Sequence, residues 1–453
     1  MTPTRRTLAR CAAVLLLSTG AAACSGFRTP LPSLFHKSDK SARSKATTGQ
    51  RIPVLSQNET LEPSAVLKGV DFSIPPAQPV TEWPAPGGTP AQSVEHVDAA
   101  RNFSIAFRRK IGVGTSRAYH ILANPVAAEG RLYVIDGQGS VFALDPASGR
   151  EVWKVNFTPK KGRDREAFGG GVAYADGTLY VTSGFRFVAA LDAKTGQEKW
   201  RTPTEAPMHG APNVAGGKVY AINVNDELTA FDAQTGQSVW TYQAIAEPAR
   251  ILEASSVAIT PDVVVAPFAS GELVALNPVN GNDLWNDVLS LTNRNNALSE
   301  IRDIGGRPII YRGDVLAGSH AGVFAAVDLH TGQRRWSLPI ATVTTPWAAG
   351  DVVYITDQAG DVICVARDSG QIYWINGLNK RLRKKFRTIW SSPILAGDHL
   401  ILVSRSGVAL ALDPKTGAEQ KRLRLNAPAF VAPIALNGAV YVWTDTAELV
   451  AIR

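Results

Sequence analysis

Ten residues starting at Leu191, LDAKTGQEKW, set the terms for everything else in this chain, because their skeleton occurs seven times. The other copies are LDPASGREVW from Leu144, FDAQTGQSVW from Phe231, LNPVNGNDLW from Leu276, VDLHTGQRRW from Val327, VARDSGQIYW from Val365 and LDPKTGAEQK from Leu412. Their glycines fall at 149, 196, 236, 281, 332, 370 and 417, so the intervals run from 38 to 51 residues. A period of that size means one supersecondary unit per repeat, with insertions of variable length between units.

Each copy follows a similar phrase, such as GGKVYAINVNDELTAFD before Gly236, in which alternating apolar residues are cut by short Gly, Asn or Asp turns. That alternation is the pattern of adjacent antiparallel strands. Four strands and about forty residues make one propeller blade. The predicted fold is therefore all-β, an eight-bladed β-propeller of four-stranded antiparallel blades. Seven blades carry the motif. The eighth combines three strands of the C-terminal stretch APIALNGAVYVWTDTAELVAIR with NFSIAFRRKIG at 102 to 112, so that an N-terminal strand closes the ring and removes the sheet edges an open array would leave.

The motif has a local physical reading. Asp145, Asp192, Asp232, Asp328 and Asp413 are placed to fold a carboxylate onto backbone N–H groups of a turn, as Asp and Asn commonly do. Gly149, Gly196, Gly236, Gly281, Gly332, Gly370 and Gly417 suit a site of positive φ. Trp153, Trp200, Trp240, Trp285, Trp336 and Trp374 offer a large apolar area to the gap between blades. Two copies depart from the pattern, with Ala366 in place of the aspartate and Lys421 in place of the tryptophan.

The ends of the chain bear on its compartment. Arg5, Arg6 and Arg10 precede a short apolar run and then small residues up to Cys24, the layout of a secretory signal peptide over residues 1–23. AAAC resembles a bacterial lipobox, which makes Cys24 a lipidated N-terminus; plain secretory cleavage would leave it an ordinary thiol. Ser25 after that cysteine, by resemblance to Gram-negative lipoproteins, implies the periplasmic face of the outer membrane. TRRTLAR also resembles a twin-arginine signal, so the export route stays open. With Cys11, Cys24 and Cys364 the only cysteines, no structural disulfide is expected. Residues 24–98, rich in Pro, Ser and Thr, are predicted to be a flexible tether from lipid to a propeller over 99–453.

Other chemistry is sparse. The net charge of +8 is spread along the chain beside no nucleic-acid motif, so no nucleic acid partner is expected. The basic run from Lys380 to Arg387 reads as a solvated loop between repeats. The seven histidines show no metal-ligand spacing. The glycine run in AFGGGVAYADG lacks the Lys-Ser/Thr of a phosphate loop. No metal, cofactor or small-molecule substrate is expected.

The repeated phrase resembles the tryptophan-docking motif of the pyrroloquinoline quinone (PQQ) propeller superfamily, from about residue 100 onward. Within it, a lipoprotein with one eight-bladed propeller is similar to the BamB family of the outer-membrane β-barrel assembly machinery. That resemblance implies a non-enzymatic scaffold that binds the POTRA domains of BamA, works beside other subunits of the machinery, and assists folding and insertion of outer-membrane proteins. It also implies partner-binding loops at Arg250, Ile251 and Leu252 and at Arg302 and Asp303. The competing resemblance is to PQQ-dependent dehydrogenases, which have an adjacent cysteine pair that this chain lacks. An envelope propeller with another protein partner stays open as well.

Overall fold

The computed structural model describes residues 61–159, 169–247, 251, 255–290, 301–380 and 382–453. Their strands form eight separate four-stranded antiparallel sheets. Blade one takes Val126–Ala128, Arg131–Ile135, Ser140–Leu144 and Glu151–Asn156. The first three of these strands are almost wholly buried and the fourth alternates exposed with half-buried positions, so the blade runs from the ring axis outward in chain order. Blades two to seven begin at Gly170–Ala175, Asn213–Ala215, Ala258–Ile259, Ile309–Tyr311, Trp347–Ala349 and Ile394–Ala396.

Blade eight is assembled from both ends of the chain. Ile434–Leu436, Ala439–Trp443 and Glu448–Ile452 supply three strands, and Ile105–Lys110 pairs antiparallel with the last of them, from Ile105 opposite Ile452 to Lys110 opposite Glu448. The closing strand foreseen at 102 to 112 is thus the outermost strand of this blade.

The seven motifs build one repeated joint. At each, the pairing of the third and fourth strands slips by one residue, as between Ala190 and Leu191. The Asp192 carboxylate then accepts from the N–H groups of Lys194 and Thr195 and from the Thr195 hydroxyl, and Gly196 turns the chain at φ +75°. Neighbouring blades meet there. The indole of Trp153, in blade one, lies against Gly196 of blade two so closely that a Cβ on Gly196 would stand 2.8 Å from the ring. The same contact joins Trp200 to Gly236, Trp240 to Gly281, Trp285 to Gly332, Trp336 to Gly370 and Trp374 to Gly417. Glycine is therefore required twice over at these sites, for its backbone angle and for the absence of a side chain.

Five of the indoles add a hydrogen bond across the same joint. Nε1 of Trp153, Trp200, Trp240, Trp285 and Trp336 donates to the carbonyl of Ala193, Ala233, Pro278, Leu329 and Arg367, one residue beyond the Asp, Asn or Ala that opens the next blade's turn.

The departures from the motif are explained by position. Without a carboxylate at Ala366 the turn is kept by Gly370 N–H, which donates to the Ala366 carbonyl at 2.8 Å, and by Gln371 N–H, which donates to Ser369 Oγ at 3.3 Å. Lys421 faces blade eight, whose third and fourth strands come from opposite chain ends and so carry no motif glycine to receive an indole; its Nζ donates to the Asn102 carbonyl instead. Going the other way, Phe107 of the closing strand takes the tryptophan's place against Gly149 of blade one.

One expectation is overturned over part of its length. Residues 61–98, read as flexible tether, lie packed on the propeller, while 24–60 fall outside the described residues. Trp83 and Val97 are fully buried in the largest apolar cluster. The chain there is extended and proline-rich, which suppresses any strand periodicity in sequence. Proline nevertheless keeps its carbonyl acceptor, and those carbonyls are used.

Candidate functional site

Antiparallel order sorts the loops to the two ends of the ring. The turns between first and second strands and the motif turns lie at one end. The second-to-third-strand turns and the blade-to-blade connections lie at the other.

The motif end carries the N-terminal segment. Trp83 exchanges backbone hydrogen bonds with Ala127 of blade one, and the Pro84 carbonyl accepts from Tyr174 N–H of blade two. The Pro90 carbonyl accepts from the Asn213 side chain of blade three and from Ile259 N–H of blade four. Ala91 serves Ile310 of blade five, and the Glu95 carbonyl accepts from the Trp347 indole of blade six. Val97 pairs with Leu395 and Gly397 of blade seven, and Val80 and Ala100 meet the Asn437–Gly438 turn of blade eight. Residues 80 to 100 thus visit the innermost strand, or the turn after it, of every blade. They cap the central channel and pair with strand edges that would otherwise be bare.

The connection end carries the residues singled out from the sequence. Asp303, in the link between blades four and five, accepts the N–H of Ile251, in the link between blades three and four, at 3.1 Å. Its backbone carbonyl accepts from His320 N–H in a turn of blade five. Asp303 is only 9% exposed, so its carboxylate positions two links and is not itself a contact surface. Arg302 beside it is exposed, with its Cβ packed over Gly271, and Ile251 is half-buried. Arg250 and Leu252 lie outside the described residues. Asp226 and Glu272 hold neighbouring loops in the same way, accepting from Ala269 N–H and from Ile245 N–H.

Inside the channel, sequence reasoning missed Arg307. It precedes the inner strand of blade five and donates from Nη1 to Asn124 Oδ1 at 2.7 Å. Burial pulls its pKa down to about 10. Nothing in the local phrase GGRPII marks it. Elsewhere, Cys364 is a fully buried core residue, its thiol pushed up by burial. His330 is exposed beside Asp262, and the glycine run forms the inner strand of blade two, where a Cβ on Gly170 would strike the Thr182 carbonyl at 2.2 Å. Among the described residues, no three His, Cys, Asp or Glu side chains gather in a metal-binding cluster.

Eight blades, six of their eight joints made by tryptophan on glycine, closed into a ring by an N-terminal strand, define a propeller of the PQQ-repeat class. The sequence matches the family described as outer membrane protein assembly factor BamB over residues 137–376, more than half of the chain. The chain belongs to that family. A second match, over residues 90–176, is to the β-propeller domain of glucose, ethanol and alcohol dehydrogenases.

Among curated relatives, the outer membrane protein assembly factor BamB of Nitrosomonas eutropha is 27% identical over 52% of this chain and 55% of its own length. That of Shewanella oneidensis is 22% identical over 80% of this chain and 92% of its own. The crystal structure of BamB from Moraxella catarrhalis superposes with a TM-score of 0.61 at 19% identity, covering 76% of this chain and 97% of that one. The quinohemoprotein alcohol dehydrogenase of Comamonas testosteroni superposes with a TM-score of 0.66 at 16% identity, covering 83% of this chain and 81% of that one. The fold is thus common to assembly factors and dehydrogenases, and the repeat motif does not separate them.

Proposed function

We propose that this chain is a non-enzymatic scaffold of outer-membrane protein assembly that binds the POTRA domains of BamA, beside other subunits, through its connection end. In this reading residues 1–23 are a signal peptide, Cys24 carries the lipid that holds the protein at the periplasmic face of the outer membrane, and residues 24–60 span from lipid to propeller. The observation that carries the partner surface is the hydrogen bond from Ile251 N–H to Asp303, which ties two blade-to-blade links into one surface beside the exposed Arg302. Arginine and large apolar side chains are the types that anchor interfaces.

The test is affinity purification of the full-length protein from membranes. Recovery of BamA is expected. Arg302→Glu combined with Ile251→Asp is expected to weaken it by about 2 kcal/mol or more, roughly thirtyfold in affinity, with an unchanged unfolding midpoint. Undiminished recovery would sink this surface. Quinone absorbance together with dye-linked alcohol oxidation would overturn the non-enzymatic reading. Cys24→Ala is expected to move the protein from the membrane to the soluble fraction.

A further inference from the structure

The central channel is capped at the motif end by residues 80 to 100 and opens toward the connection end. Arg307 stands between two small cavities in it. One, of about 20 Å³, lies under the cap against Trp83 and Gln92. The other, of about 50 Å³, faces the open end and is bordered by Asn124, Thr344, Thr345, Arg405 and Phe430. The Arg307 side chain is held in place, because Asn124, which accepts its Nη1, is itself anchored by donating to the Ala432 carbonyl at 2.7 Å. Its Nε is shielded from solvent and has no partner. No carboxylate among the described residues lies within ion-pair distance of it. Arg405, the one other cation lining that cavity among the described residues, lies over the Phe430 ring, 4.7 Å from its centroid, and its charge is offset by the Asp445 carboxylate.

A guanidinium has five N–H donors in a rigid fork, and here one reaches a side chain. Its Nε–H is kept from water with no acceptor, and leaving a buried donor of a charged group unpaired, with no counter-charge in reach, is costly. We propose that the channel at Arg307 binds a small monocarboxylate, which enters from the connection end and accepts from the guanidinium. The charge argues for a monoanion, since a dianion would leave one charge uncompensated in a low-dielectric channel. The space argues for a few heavy atoms, since roughly 10–15 Å³ holds one water. A planar carboxylate also matches the guanidinium fork. Its source is a free monocarboxylate or the C-terminal carboxylate of an extended peptide. The site does not depend on the partner surface proposed above.

The test is thermal unfolding of the mature full-length protein at constant ionic strength, with sodium acetate replacing sodium chloride. A saturable rise in Tm with acetate is expected, because a ligand that binds only the folded state stabilises it by mass action. Arg307→Met should abolish the rise, and Arg307→Lys, which keeps the charge and loses the fork, should weaken the acetate affinity about tenfold. An identical Tm in the two salts, a full acetate response in Arg307→Met, or an equal response to inorganic phosphate overturns the proposal. If Arg307→Met does not fold, saturation-transfer NMR of acetate on the wild-type protein decides: transfer that formate competes away supports the site, and no transfer overturns it. Trialanine and its C-terminal amide identify the source. Stronger stabilisation by trialanine than by acetate, with the amide silent, points to a peptide terminus, and the reverse order points to a free acid.

Discussion

At the scale of single residues, the motif glycines separate two requirements that sequence alone merges. Gly236 and Gly438 share φ +73°, yet a Cβ would stand 2.5 Å from the Trp200 ring at Gly236 and meet nothing at Gly438. Gly438→Ala should cost about 1–2 kcal/mol for the left-handed backbone. Gly236→Ala should cost about 1–3 kcal/mol more, for the overpacked joint. Urea unfolding of the two variants checks the difference, and equal costs would refute the double role.

The motif carboxylates carry a pH dependence of definite sign. Hydroxyl and backbone N–H donors of the Ser or Thr three residues on hold Asp145, Asp192, Asp232 and Asp328 below the usual carboxylate range. A depressed folded pKa contributes stability that is present above the unfolded value of about 4 and lost as pH falls through the folded one. Asp357 works the other way. Burial raises it to about 6, so its effect on stability is most favourable below about pH 4 and is lost as pH rises toward 6. The Asp357→Asn variant should be more stable than wild type at pH 7 and lose the decline between pH 4 and 6, as followed by thermal unfolding across that window.

At the scale of elements, the unit is the joint between blades. The tryptophan of one fourth strand needs the glycine of the next blade's turn, so a change is judged by its neighbour. Lys421→Trp restores the repeat consensus but faces Asn102, where no motif glycine waits, and should give no gain in unfolding midpoint. A stabilisation comparable to burying an indole would overturn this account. Phe107→Ala empties the seat on Gly149 and should cost about 1–3 kcal/mol, loosening the closure between blades eight and one. Hydrogen exchange of Ile105–Lys110 is the direct readout.

At the scale of the molecule, the ring is held from inside as well as around its circumference. Residues 80 to 100 bond to each blade in turn, with Trp83 1% exposed at the start of that course. Trp83→Ala should cost about 3–5 kcal/mol and expose residues 80–100 to limited proteolysis before the blades unfold. Cleavage confined to blade connections, with this segment intact, would show that Trp83 does not pin the cap.

The sequence by itself determined the blade count, the closing strand and the chemistry of each motif turn. These rest on contacts a few residues apart, so their signal recurs with the repeat: Asp192 bonds within its own turn and Gly196 bends its own chain. Only the tertiary structure decided that Trp153 docks on Gly196, that the proline-rich segment caps the channel, and that Asp303 joins Ile251 and His320 by hydrogen bonds. It alone placed Arg307 by an axis that eight blades converge on. In each of these cases residues distant in the chain meet because the ring closes, and no local pattern of apolar and polar residues encodes that meeting.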